Sequence, residues 1–204
     1  MSNSSTAGRP RRRADAERSI ASIVAAAREQ LSINPEASVD DIAKAAGVGR
    51  MTVYGHFRNR PELVEAALVD AIRVGEEALA QVDLTGDAQG AFTRLLASSW
   101  SLVAESAALL TAAQGVLPAG RLRELHGTPA ARVEELIRRG QDQGVFRTDL
   151  PAGWLVSAVH YILNGAAEEG RAGRIDIEDV ARIVDATVRS ILSNPPQLEE
   201  SPPR

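Results

Sequence analysis

Arg50, Met51, Thr52, Tyr54 and His56 fall within seven consecutive residues, bringing a guanidinium, a thioether, a hydroxyl, a phenol and an imidazole close together if the segment is helical. Val53 and Phe57 sit at the spacing that turns inward, which leaves the polar set on the other face. Such a face offers donors, acceptors and aromatic edges, but no nucleophile beside a base. Its chemistry is the reading of base edges and phosphates in a DNA groove. Elsewhere the acids Glu168, Glu169, Asp176, Glu178 and Asp179 gather near helix ends, where solvated carboxylates are expected, without a His or Cys neighbour to complete a catalytic or metal site. His56 has no second ligand in sequence, and the chain contains no cysteine. The expectation is a protein that is not an enzyme and needs neither metal nor cofactor.

The elements that position this face begin with Ser38, an N-cap followed by the first-turn acids Asp40 and Asp41. The short helix it opens ends at Gly47, a residue suited to the left-handed C-terminal position. Ala43, Ala46 and Gly47 let a second short helix, about Arg50 to Phe57, cross close by, while Val39, Ile42, Val48, Val53 and Phe57 supply the shared apolar side. This is a helix-turn-helix pattern. Ahead of it, Ile20, Ile23, Val24, Ala27 and Leu31 mark an amphipathic helix stopped near Pro35; behind it, Asn59, Pro61 and Glu62 open a longer one running past Ile72 to about Leu79. Helical periodicity continues to about Ile191 with no strand-like alternation, so the fold class is all-α, with the helix-turn-helix in its N-terminal part. The boundaries read as a flexible basic arm over 1–14, the DNA-binding domain over 15–62, the second domain over 63–193 and a disordered tail over 194–204.

Asp41-Ile42-Ala43, then Ala46-Gly47-Val48, then Thr52-Val53-Tyr54-x-His56-Phe57 resembles the signature of the tetracycline-repressor (TetR) family. The resemblance covers residues 15–65. Beyond it the chain agrees in length, in helix count and in the phrase Gly140-Gln141-x-x-Gly144-Val145-Phe146-x-x-Asp149 before a helix. It implies an N-terminal three-helix helix-turn-helix domain followed by a helical ligand-binding and dimerisation domain, a dimeric regulator in which Arg50, Met51, Thr52, Tyr54 and His56 face the major groove and its phosphates, and Arg60 meets a phosphate near the start of helix four. Ser38 and the arm residues Arg12 and Arg13 complete the candidate DNA-contacting set. Three departures from the family pattern stand out: Gly49 where Ser or Thr often caps, Gly55 inside the recognition helix, and Arg58 where Pro or Lys is frequent.

Charge supports this division. Residues 1–60 hold ten Lys or Arg against six Asp or Glu, a net +4, whereas the whole chain carries −4, so the remainder carries −8. DNA attraction is a local property of the N-terminal part. Aromatic residues are scarce in the second domain, which makes Phe92, Trp100, Trp154 and Tyr161 candidates for an apolar ligand site, with Gln114, His126 and Asn164 as polar groups to orient the ligand. Val180, Val184, Val188 and Ile191 give the last helix a wide apolar face, the candidate dimer interface. The expected partners are palindromic double-stranded operator DNA, a small, mostly apolar effector and a second copy of the chain. A constitutive or partner-responsive regulator without a small ligand remains the alternative. No apolar run approaches the roughly 20 residues of a membrane span, and residues 1–13 lack a signal-peptide core, so a cytoplasmic protein is expected.

Overall fold

The computed structural model describes residues 8–195, and side chains among residues 13–195 other than 177. The described residues form helices and no strand: α1 (Gly8–Ile33), α2 (Val39–Ala45), α3 (Arg50–His56), α4 (Arg60–Leu79), α5 (Ala88–Gln114), α6 (Ala119–Leu125), α7 (Gly127–Asp142), α8 (Ala152–Arg171) and α9 (Ile177–Leu192). Helical backbone already starts at Gly8, inside the segment that the sequence places in an arm.

Contacts divide the chain into two compact units, one of Met1–Gly75 with Glu105–Leu125, the other of Glu76–Ala104 with His126–Arg204. The division differs from the boundary at 62/63 because the end of α5 and all of α6 pack with the first helices. In the first unit Ile23, Ala27 and Leu31 of α1, Ile42 of α2, Val53 of α3 and Leu63, Val64 and Ala67 of α4 are buried together with Leu109, Ala112 and Ala113 of α5. Leu117, Leu122 and Leu125 pack on the edge of this cluster. Cross-links join the same elements: Arg28 meets Asp70 at 3.0 Å, and Arg121 of α6 meets Glu65 of α4 at 2.6 Å.

The second unit buries Phe92, Leu95 and Leu96 of α5, Leu136 and Ile137 of α7, Leu155, Val156, Val159 and Leu163 of α8, and Val180, Val184, Val188 and Leu192 of α9. The valines proposed for the dimer interface are therefore part of the chain's own core. Val180 and Val188 are fully buried and Val184 is 1% exposed, while Ile191 is half-buried on the cluster's rim, so this face of α9 has little surface left for a partner. One described helix, α5, is long and apolar enough to cross a membrane by length and composition alone, a test that the core helix of a soluble protein also passes. Its Leu95, Leu96, Leu109 and Ala113 are buried in the two cores.

Candidate nucleic-acid interface

Two short helices hold the candidate reading face, and each end is fixed by identifiable bonds. Ser38 and Asp41 form a capping box: the Asp41 amide donates to Ser38 Oγ at 3.2 Å, and the Ser38 amide donates to Asp41 Oδ2 at 2.9 Å. The Ser38 hydroxyl also donates to Asp41 Oδ2 at 2.6 Å, and these bonds hold the Asp41 carboxyl below its ordinary pKa. Ser38 is thus engaged in starting α2. Gly47 takes φ +68° after the last turn, where a side chain would be strained, and Val48 N–H returns to Ala43 O at 3.0 Å. The turn then delivers Gly49, which caps α3 with its carbonyl alone; Thr52 N–H donates to it at 2.9 Å.

Val53 and Phe57 anchor α3 in the core. Arg50, Met51, Thr52 and Tyr54 lie outward on the same helix; Met51 is 80% exposed and Tyr54 37%. His56 is half-buried at the helix end. The Arg50 guanidinium lies over the Tyr54 ring, 5.4 Å from its centroid, and its NH1 donates to Asp40 Oδ2 at 2.7 Å. Tyr54 first and Asp40 second push the Arg50 pKa above its ordinary value. A large, unpartnered apolar side chain such as Met51 beside a fixed cation and a hydroxyl matches what a major groove presents, namely methyl groups among acceptors.

The other candidate contacts are placed differently. Arg60 is half-buried, and its NH2 donates to the Pro35 carbonyl at 2.7 Å, tying the start of α4 to the α1–α2 connection. Arg13 is exposed and paired with Glu17 at 3.0 Å; the side chain of Arg12 lies outside the described residues. Asn59 Oδ1 accepts the Glu62 amide at 2.9 Å, as the cap reading of α4 requires, and Glu62 in turn accepts the Arg58 amide at 2.8 Å. Sequence reasoning overlooked Asp40. Its signal was present: of two adjacent first-turn acids only one is needed for the box, which leaves the other to reach across to α3.

The candidate ligand residues do not converge. Phe92 is buried edge-on against Phe146, with ring centres 5.7 Å apart at 82°. Trp100 is half-buried on the rim of the second core, and His126 and Asn164 are also half-buried in that unit. Gln114 is exposed and belongs to the other unit. Trp154 and Tyr161 face solvent, 60% and 76% exposed. A cleft of about 30 Å³ lies beside Phe92, Leu96, Phe146, Asp185 and Arg189, enough for water and far below the few hundred Å³ that a drug-sized ligand occupies.

Comparison with known proteins agrees with this geometry. Residues 23–67 match the model for bacterial regulatory proteins of the tetR family, which spans the end of α1 through the first half of α4. The chain is 25% identical over 177 residues to the HTH-type transcriptional repressor LfrR of Mycolicibacterium smegmatis, covering 87% of this chain and 90% of that protein. The crystal structure of LfrR in complex with proflavine superposes with a TM-score of 0.68 at 22% identity, over 86% of this chain and 97% of that one. A TetR-family transcriptional regulator from Agrobacterium tumefaciens gives a TM-score of 0.70 at 16% identity, over 87% and 99%. RolR in complex with resorcinol gives 0.63 at 19%, over 87% and 89%.

Proposed function

Because the chain belongs to the tetR family of bacterial regulatory proteins and is a transcriptional regulator, we propose that it is a ligand-responsive repressor that binds a near-palindromic operator as a homodimer and is released by a small, mostly apolar molecule. The observation that carries the DNA-binding half is α3: a helix anchored by Val53 and Phe57 that leaves Arg50, Met51, Thr52 and Tyr54 outward beside a fully bonded helix start. Groove geometry supports the dimer, since two recognition helices meet successive major grooves only when two copies act together. The face that fits a second copy is the outer side of α8, where Trp154 and Tyr161 stand exposed with Ala158 between them and Gly165 one turn beyond.

The ligand half is supported by what LfrR and RolR hold in their structures, proflavine and resorcinol, both flat aromatic molecules. Within the second unit the half-buried Trp100, His126 and Asn164 suit such a ligand better than Trp154 and Tyr161, which face solvent. Ligand binding lowers operator affinity only by favouring one arrangement of the DNA-binding parts over another. Helix α4 is the covalent route, running from the recognition unit at Arg60 to Leu79.

The test is selection of duplexes from a random library, followed by gel shift with the enriched duplex. Tyr54→Ala and Arg50→Ala are expected to lose operator binding while circular dichroism stays that of the parent. A compound that releases the duplex is expected to change Trp emission, and Trp100→Phe is expected to weaken its effect more than Trp154→Phe. Parent-like binding by both α3 variants overturns the groove assignment; release without any change in emission or in either Trp variant overturns the ligand site.

A further inference from the structure

We propose that Asp40 is a positioning residue for sequence recognition, holding the Arg50 guanidinium for a base edge and away from the phosphate backbone. The inference rests on the reading of α3 as the recognition helix and adds a residue that does not itself need to touch DNA. Two acids stand side by side in the first turn of α2. Asp41 closes the capping box, so α2 needs nothing more from Asp40 at its start. Asp40 instead crosses to the next helix, where its Oδ2 accepts from Arg50 NH1 at 2.7 Å. Both side chains are more than half exposed, the setting in which an ion pair contributes little to stability.

The arrangement has a different consequence. The Tyr54 ring lies against the guanidinium at 5.4 Å and Asp40 holds one of its amino groups, so the planar fork is fixed from its face and from one end. A guanidinium on a free stem beside DNA finds the nearest phosphate, because that contact needs no particular sequence. A carboxylate at this point repels phosphate and leaves the fork's remaining donors for acceptors in the groove, such as those of guanine. A negative charge on a face with a net positive surrounding lowers non-specific attraction and raises discrimination.

The experiment compares the full chain with Asp40→Asn and Asp40→Glu, using the duplex that the parent most enriches from a random library and a scrambled version of it, each across a salt series. Circular dichroism melting confirms that the variants fold. For Asp40→Asn the scrambled duplex is expected to bind more tightly, its log-log salt slope to steepen by about 0.9 per recognition helix, and the ratio of the two affinities to fall about tenfold. Asp40→Glu, which keeps the charge, is expected to retain most of that ratio. Equal tightening on both duplexes shows a general charge effect and overturns the proposal, as does an unchanged ratio. A parent that enriches no duplex overturns the regulator reading and this proposal together, whereas a selective parent with an indifferent Asp40→Asn overturns this proposal alone.

Discussion

At Gly140 the available space is smaller than a methyl group. A Cβ there would lie 2.0 Å from Phe146 Cδ2 and 2.5 Å from Cε2, and Phe146 is itself held edge-on by Phe92. The carbonyl of Gly140 also accepts the amides of Val145 and Phe146 at 3.0 and 3.1 Å. Gly144 turns the chain back with φ +70°, and Gln141 Nε2 donates to the carbonyls of Arg147 and Leu150. The phrase from Gly140 to Asp149 is therefore a folding device that seats one phenyl ring and closes a loop. Gly140→Ala is expected to destabilise the protein by about 1–3 kcal/mol through overpacking, read as a lower urea midpoint by circular dichroism with helix content unchanged. An unchanged midpoint would mean that Phe146 finds another seat. The same scale shows what sequence can and cannot convey: the residue types that make bonds were visible, but not always their partners. Tyr54 and Met51 are outward as their spacing implies, whereas Arg60, an equally plausible phosphate ligand, donates to Pro35 O. No local pattern distinguishes a cation that meets a backbone carbonyl 25 residues away from one that meets a phosphate.

Helices were legible because their starts and faces are local. Ser38 and Asn59 each accept the backbone amide their positions promise, at 3.2 and 2.9 Å. What each face packs against is a long-range fact. The apolar stripe of α9 was evident in sequence, yet a stripe that fits the chain's own core and one that fits a second copy have the same periodicity. Helix α8 carries a further consequence in His160. Its pKa lies below the ordinary 6.5, first because burial disfavours the imidazolium and second because of the nearby charge of His126. As pH falls below 6.5 the unfolded chain takes up this proton before the folded one, so stability held above pH 6.5 is lost as pH falls through the depressed folded value and then levels off. The depressed carboxyls Asp41, Glu62 and Asp149 act in the same direction at lower pH, below their ordinary 3.8 to 4.5. Melting followed by Trp emission is expected to show a midpoint that declines from pH 7 to pH 5, and His160→Gln is expected to flatten that decline. A decline of the same steepness in His160→Gln would assign it to another group.

For the molecule as a whole, the surface left over after each unit has buried its core decides what assembles. The second unit keeps Val180, Val184 and Val188 inside, while α8 holds Trp154 and Tyr161 outward at i and i+7, with the half-buried Ala158 between them and the exposed Gly165 one turn beyond. Exposed aromatics of this size are uncommon on a lone surface, and small residues beside them allow a second helix to approach closely. Two kinds of charge substitution should therefore separate folding from assembly. Val184→Glu places a carboxylate in a site that is 1% exposed and is expected to lose helix content outright, so it says nothing about partners. If the parent is the proposed homodimer, Tyr161→Glu and Trp154→Glu, which change side chains already in solvent, are expected to keep its circular dichroism while light scattering shifts from twice the chain mass toward once. Operator affinity should fall with the dimer, because a single α3 engages one half-site and loses the second groove's contribution. The order of effects is the decisive reading. If dimer and operator binding weaken together as protein is diluted, the α8 face joins the two copies. Should both variants remain dimeric at micromolar concentration, another surface joins the copies, and the exposed rings of α8 require a different occupant.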